Sequence, residues 1–218
     1  MKVLKINEWM QVDKPNFVST STNPSSSKRN ASLYNYHPKT KRELESIIKE
    51  RVKKEGNKCN LNDIDTSKIT DMSKLFMGMD DFNGDISQWD VSHVEDMKGM
   101  FYGARSFNGD ISNWKVSKVT DMNRMFSYAE SFNQDISRWD VSNVKYMDMM
   151  FDNAKSFNQD ISAWDVSNVS NMRYMFYNAK SFIGDLSKWN VRHVEDHDDM
   201  FYNSPLLDKP KKQPEFRY

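Results

Sequence analysis

Two histidines near the C-terminal end of the sequence have the spacing of a metal-binding pair. His193 and His197 are separated by Val-Glu-Asp and are followed by Asp198 and Asp199. Two histidines four residues apart on a helix can share one metal ion. The surrounding repeats argue against a metal site, because His193 occupies a variable outward position whereas His197 replaces an inward methionine. The two rings should face different ways, so we expect no metal ligands here.

A column of aspartates forms a second set of chemically capable residues. Each is followed by Ile or Leu and then by Ser, and parallel extended segments would stack these carboxylates about 4.8 Å apart. Unpaired carboxylates at that distance repel one another. Aspartate in this context is typical of a turn in which the carboxylate accepts backbone N–H groups. We interpret the column as structural, with a cation-binding file as the alternative. Its members are Asp85, Asp110, Asp135, Asp160 and Asp185.

Outward positions that differ between repeats are the candidates for binding a partner protein. Exposed tyrosine and arginine are enriched in interface hot spots. Two surfaces offer such residues, the outside of the expected helices and the side of the extended segments. The alternative is that these residues only cover the convex face. The candidates are Tyr102, Tyr128, Tyr146, Tyr174, Tyr177 and Tyr202 on the helical side, and Arg138 and Lys188 on the extended side.

Catalysis and cofactor binding have no comparable candidates in the sequence. It contains neither a Gly-rich phosphate loop nor a nucleophile elbow. A repeat also spreads similar residues along an axis and makes no constellation unique. The repeated tryptophans and phenylalanines fall within apolar stripes, which favours core packing over sugar stacking. We therefore expect no catalytic residue and no cofactor.

A 25-residue repeat from about residue 57 to 207 must position all of these side chains. One such unit is too small to bury its own apolar face, so neighbouring units have to share a core, as they do in a solenoid. Two aromatic columns mark the period: Phe76, Phe101, Phe126, Phe151, Phe176 and Phe201, and Trp89, Trp114, Trp139, Trp164 and Trp189.

Periodicity inside one unit predicts its local structure. Five apolar residues of the second unit recur at i, i+3, i+6, i+7 and i+10, the stripe of a three-turn helix. Trp114 and Val116 then alternate as in a short extended segment. We predict a right-handed α/β solenoid of about five and a half coils, each with one short helix and one or two short extended legs. The helical stripe is Val94, Met97, Met100, Phe101 and Ala104.

Four regions are expected along the chain. Residues 1–39 read as a flexible N-terminal arm and linker, because residues 19–30 are poor in apolar side chains. Residues 40–56 read as an N-terminal capping helix, since Thr40 and Glu43 have the spacing of a capping box and Gly56 suits a C-cap. Residues 57–207 are the solenoid, and residues 208–218 are a tail expected to be extended or disordered.

Composition restricts partners and location. The 218 residues include 31 basic and 31 acidic side chains, which gives no long-range field to attract nucleic acid or an anionic membrane. We expect no nucleic-acid partner and no membrane insertion. The single cysteine, Cys59, excludes an intrachain disulfide framework and is expected to be a buried filler. No secretory apolar region and no membrane-spanning segment is recognisable. We expect a cytoplasmic or virion-associated protein, with surface display as the alternative.

The repeat FNxDISxWDVSxVxxMxxMFxxAxS, as in residues 132–156, closely resembles the unit of the BspA-like leucine-rich-repeat surface proteins, the family that includes mycoplasma lipoproteins. This resemblance implies a non-enzymatic scaffold associated with adhesion or protein binding. Similar arrays occur in bacteriophage genomes, which makes a phage accessory factor a further possibility. The alternative function is a structural component of a larger assembly, docked through the N-terminal arm.

Overall fold

A single α-helix precedes the repeats in the computed structural model, which describes residues 33–216. Helix α1, Lys41–Glu55, begins after Thr40, whose side chain accepts a hydrogen bond from the Glu43 backbone N–H. It ends at Gly56, which has a φ of 87° and donates its N–H to the Val52 carbonyl. Leu44 and Ile48 are its buried residues and belong to the same apolar cluster as the repeats. The helix therefore covers apolar surface that would otherwise face water.

The repeats themselves are joined by isolated parallel bridges between positions 25 residues apart. Asp71 pairs with Asp96, Asp96 with Asp121, and the same column continues to Asp196. Within the described residues, the helices are α1 and a short 3-10 helix, Pro210–Lys212, and no multi-residue strand is formed. Stacking of equivalent positions thus occurs through single bridges and turns rather than through long strands.

The short helix predicted in every repeat is not formed. In an α-helix each backbone N–H donates to the residue four positions earlier. In the second repeat, alternate N–H groups instead donate to the next repeat, while those between them donate to the carbonyl three residues earlier and close four-residue turns. The bonds to the next repeat run from Met97, Gly99, Phe101 and Gly103 to the carbonyls of Asp121, Asn123, Met125 and Ser127, and the turn bonds run from Met100, Tyr102 and Ala104 to those of Met97, Gly99 and Phe101.

This alternation of hydrogen bonds accompanies left-handed backbone at two positions in each repeat, four residues apart. Equivalent positions of successive repeats form two left-handed columns. Gly99 and Gly103 have φ values of 58° and 72°. Glycine and asparagine adopt this region at the lowest cost. One of the two columns follows that preference at five of its six positions, whereas Tyr128, with a φ of 60°, departs from it. The other five are Gly78, Gly103, Asn153, Asn178 and Asn203.

Aromatic and thioether side chains from successive repeats form one buried core. Phe101 stacks on Phe107 in its own repeat, with ring centroids 3.9 Å apart, and on Phe126 of the next repeat at 5.6 Å. Trp114 and Trp139 stack at 6.4 Å. Each repeat tryptophan also donates its indole N–H to a backbone carbonyl one repeat back, as Trp139 does to Ile111 at 3.1 Å. The buried indole therefore leaves no donor unsatisfied.

Both ends of the stack are covered. Cys59 is buried in the first repeat, and burial raises the pKa of its thiol. At the other end, the tail predicted to be extended or disordered packs on the last repeat. Leu186 donates its N–H to the Lys212 carbonyl at 2.8 Å, and the Phe216 ring lies 3.8 Å from that of His197.

None of the helices within residues 33–216 is long and apolar enough to cross a bilayer. The predicted arm falls mostly outside the described residues.

Candidate functional site

An open groove crosses the turn side of the first repeats and encloses about 510 Å3. It is built mainly from two columns of equivalent residues: the left-handed column of Lys74, Gly99, Arg124 and Met149, and the column of Met77, Tyr102, Ser127 and Asp152. The backbone turns hold these side chains in register, because equivalent residues stack at the spacing of the bridges. The groove is lined by Lys74, Met77, Lys98, Gly99, Tyr102, Asn123, Arg124, Ser127, Tyr128, Met149 and Asp152.

Only two of the predicted partner-binding residues line this groove. Tyr102 and Tyr128 meet edge to face, with ring centroids 5.9 Å apart. They project from turns rather than from the helices that the periodicity predicted. Tyr128 is 37% exposed, and partial burial raises the pKa of its hydroxyl. The pair therefore presents a large amphipathic surface of the kind found at interface anchors.

Three further tyrosines form a second cluster on later repeats. Tyr177 packs against Tyr174 at 5.5 Å and against Tyr202 at 4.9 Å. Arg173 lies over the Tyr174 ring, 4.8 Å from its centroid, and donates to the Tyr174 hydroxyl at 3.1 Å. A guanidinium stacked in this way holds the ring in a fixed orientation. The cluster extends the aromatic surface but does not line the groove.

The remaining predicted residues lie elsewhere. Tyr146 is 46% exposed and takes part in the column of bridges. Arg138 lines a separate pocket of about 360 Å3 beside Trp114, together with Lys115. Lys188 is exposed in the same column as Arg138, two repeats later. The eight predicted residues therefore do not form one site, and the groove joins only the tyrosine pair.

The floor of the groove contains one buried carboxyl group, that of Asp152, which the sequence patterns did not single out. Asp152 is only 8% exposed, and burial raises the pKa of its carboxyl. It accepts a hydrogen bond from the Ser127 hydroxyl at 3.2 Å. Asn123 is 5% exposed and donates its side-chain amide to Asp148, whose pKa burial also raises. Their signal in the sequence was the replacement of Met or Tyr by Ser127 and Asp152 in an otherwise apolar and aromatic column.

Three cationic side chains also line the groove. Lys74 and Arg124 are exposed, and Lys98 is half-buried. Among residues 33–216, none of the three forms an ion pair; Arg124 donates its Nε to the Met149 sulfur at 3.1 Å. The groove therefore combines available positive charge, apolar walls and an acidic floor.

The aspartate column has local hydrogen-bond partners. Asp135 and Asp160 accept the backbone N–H of the serine two residues later at 2.9 and 3.0 Å. These bonds lower the pKa of both carboxyls. The carboxylates are thus stabilised as anions by turn N–H groups, as the structural interpretation of the column requires.

The two C-terminal histidines do not share a site. His193 Nδ1 lies 2.8 Å from the Ser167 carbonyl, while the His197 ring stacks on Phe216. Within the described part of the chain, no group of three or more histidine, cysteine or acidic side chains has a metal-binding arrangement.

Comparison with known families adds a classification to this geometry. The family described as Mycoplasma protein of unknown function, DUF285, matches residues 43–145 and again residues 114–213. Together these matches cover residues 43–213, well over half of the 218-residue chain. The protein belongs to the DUF285 family. No curated protein and no solved structure matches it.

Two matches of the DUF285 family along one chain indicate a repeat protein. The groove lies inside the matched region, because Lys74 and Asp152 both fall between residues 43 and 213. Membership agrees with the mycoplasma side of the resemblance noted in the sequence. The DUF285 description itself assigns no activity.

Proposed function

We propose that this DUF285 protein is a non-enzymatic scaffold, a solenoid of 25-residue coils that binds another protein through its groove side. The observation that carries the proposal is the division between repeated and varied positions. Phe, Met and Trp columns recur in the core, whereas the groove columns change residue type from repeat to repeat. A fixed core with a varied surface is the arrangement by which repeat proteins present extended binding surfaces.

Contacts at 25-residue separation support the solenoid. Bridges and ring stacks join a residue to its equivalent in a neighbouring coil, and backbone hydrogen bonds join residues 24 to 26 positions apart. The leucine-rich-repeat relationship to BspA-like surface proteins remains part of the proposal and is supported by the resemblance of residues 132–156.

The chemistry of the groove favours a protein partner over nucleic acid. The chain carries no net charge, and nucleic-acid affinity depends on a broad positive surface that neutralises many phosphates. Here the cations are few, and the Asp152 carboxyl lines the same groove. Paired tyrosines and exposed methionine instead match the composition of protein interfaces.

Partner capture with three forms of the protein tests the proposal. The forms are the full chain, the chain lacking residues 1–30, and the full chain with Tyr102→Ala and Tyr128→Ala. Chemical cross-linking and mass spectrometry identify the captured protein and the residues it contacts. We expect the shortened chain to retain its partner and the tyrosine variant to lose it. Capture that needs only residues 1–30 would contradict the proposal and support docking into an assembly.

A further inference from the structure

One column of the groove has a gap between two cations. Lys74, Gly99 and Arg124 occupy equivalent positions in successive repeats, and Gly99 has no side chain to fill the space between its neighbours. A Cβ atom built on Gly99 would lie 3.6 Å from Lys74 Cγ and 3.7 Å from Tyr102 Cβ, both ordinary contacts. Gly99 is itself buried, so an additional group at this position would lie between the Lys74 and Arg124 side chains, above the Gly99 backbone.

We propose that the groove binds an acidic segment of a partner protein, with one carboxylate seated over Gly99 between Lys74 and Arg124 and a neighbouring apolar side chain against the groove walls. This inference rests on the proposed protein-binding function and specifies its ligand. We call the position of the carboxylate the Gly99 slot.

Charge complementarity identifies the carboxylate. Lys74, Lys98 and Arg124 approach the Gly99 slot from adjacent positions, and none forms an ion pair within residues 33–216. Cationic donors bind carboxylates through charge-assisted hydrogen bonds, which are stronger than neutral ones. A bound carboxylate would give these cations a direct ion-pair partner, whereas Asp148 and Asp152 act on Arg124 only at longer range.

Apolar walls extend the site beyond the charge. Met77 is 49% exposed, Tyr128 is 37% exposed, and Met149 is half-buried beside Arg124. Tyr128 holds its ring here although its φ of 60° is unfavourable for a bulky residue. The walls suit a large apolar side chain next to the acidic one.

The acidic floor discriminates against a continuous polyanion. Asp152 lines the groove and is 8% exposed, and burial raises the pKa of its carboxyl. A phosphodiester chain along the groove would place further negative charges over this carboxyl. A single carboxylate confined to the Gly99 slot avoids that repulsion.

The first test needs no ligand, because the slot can be filled from within the chain. Gly99→Asp places a carboxylate at the slot, and Asp199 already occupies this column with a φ of 51°. Gly99→Asn is the control, equal in size and uncharged; asparagine tolerates left-handed backbone at least as well as aspartate, so a higher melting temperature of the Asp variant reflects its charge. We expect the Asp variant to melt about 2 °C or more above the Asn variant. The difference should shrink in 0.5 M NaCl. An Asp variant no more stable than the Asn variant would overturn the proposal.

The second test selects a displayed library of random twelve-residue peptides on the full chain. We expect enriched peptides to carry Asp or Glu beside a large apolar residue. A synthetic copy of an enriched peptide should bind about tenfold more weakly to the Lys74→Gln, Arg124→Gln double variant. The Arg138→Gln, Lys188→Gln variant has the same charge change outside the groove and should bind normally. Thermal melts establish that both variants are folded.

Three results of the selection would overturn the proposal: no enrichment, enrichment without acidic residues, or peptides unaffected by the Lys74 and Arg124 changes. Tighter binding of a twelve-nucleotide oligothymidine than of any enriched peptide would also overturn it and indicate a polyanion site. The broader protein-binding function is tested separately by partner capture. It would stand if the captured partner still mapped to the repeats while the Gly99 slot bound no carboxylate.

Discussion

The indole groups of the repeat tryptophans link neighbouring coils in two ways at once. Trp139 is 3% exposed, stacks on Trp114 and donates its N–H to the Ile111 carbonyl. Trp139→Ala removes this contact area and should lower the free energy of unfolding by about 3–5 kcal/mol. Lys188→Ala, at an exposed position, should change it by less than about 0.5 kcal/mol. Urea denaturation measures both values. Small, equal losses would mean that the tryptophans do not form the core.

A second residue-scale prediction concerns aspartates with opposite pKa shifts. Burial raises the pKa of the Asp121 carboxyl, and the neighbouring Asp96 adds repulsion. A raised pKa in the folded state means that the fold favours protonated Asp121 over ionised Asp121. The contribution of this residue to the free energy of unfolding is therefore present at low pH and is lost as pH rises through the folded-state pKa. Asp121→Asn should therefore stabilise the protein at pH 7, with a gain that shrinks towards pH 4. Asn171 occupies the same column and accepts the Arg173 N–H at 2.9 Å, so asparagine preserves the turn.

Asp160→Asn is the control with the opposite sign. The Ser162 N–H lowers the pKa of the Asp160 carboxyl, so its contribution is present above the unfolded pKa and is lost as pH falls. This variant should be less stable than the wild type at pH 7, and the loss should disappear in acid. Unfolding midpoints measured from pH 3 to 8 distinguish the two variants. Parallel pH profiles would show that the environments of Asp121 and Asp160 do not differ as described.

At the scale of the element, the turns depend on left-handed residues. Gly103 has a φ of 72° and shares its column with Asn153, Asn178 and Asn203. Gly103→Asn should cost less than about 0.5 kcal/mol, whereas Gly103→Ala should cost about 1 kcal/mol, because Asn tolerates this backbone region better than Ala. Urea denaturation of the pair tests the turn geometry. An Ala variant as stable as the Asn variant would contradict it.

The same turns explain which elements sequence could predict. The Thr40 and Glu43 spacing indicated the start of α1, and the structure places the start there. Spacings of three and four residues at Met97, Met100 and Phe101 indicated a helix. Consecutive turns, in which an N–H donates to the carbonyl three residues earlier, bury residues at the same spacings. The distinguishing signal was glycine or asparagine recurring in one column, as at Gly103 and Asn153.

The candidate site was predictable only in part for the same reason. Tyr102 and Tyr128 stood out because tyrosine is common in protein interfaces and because both lie at outward positions whose residue type differs between repeats. Lys74 and Asp152 did not, because their proximity depends on which columns the turns bring to one face. A helical assumption assigns that face differently. Arg138 was assigned to a binding surface because it lies in a variable column on the extended side, and the structure separates it from the groove.

Across the whole molecule, each repeat contacts its neighbours, and α1 and the C-terminal residues cover the ends. Removing residues 133–157 deletes one full repeat and preserves the register of every remaining column. This variant should unfold in one cooperative transition at a lower urea concentration, because stability in repeat proteins is approximately a sum over units and interfaces. Removing residues 133–144 shifts the register and should abolish cooperative unfolding. Equal behaviour of the two deletions would contradict stacking in register.

The spacing of equivalent residues gives the most direct test of that stacking. Spin labels at Gln88 and Lys188, both exposed and four repeats apart, can be introduced in a Cys59→Ala background and their separation measured by pulsed electron spin resonance. At about 4.8 Å per repeat, the two backbone positions should lie about 19 Å apart, with a narrow distribution. A broad distribution centred well beyond about 30 Å, the radius of gyration of an unfolded segment of this length and so less than its end-to-end distance, would show that the repeats do not stack.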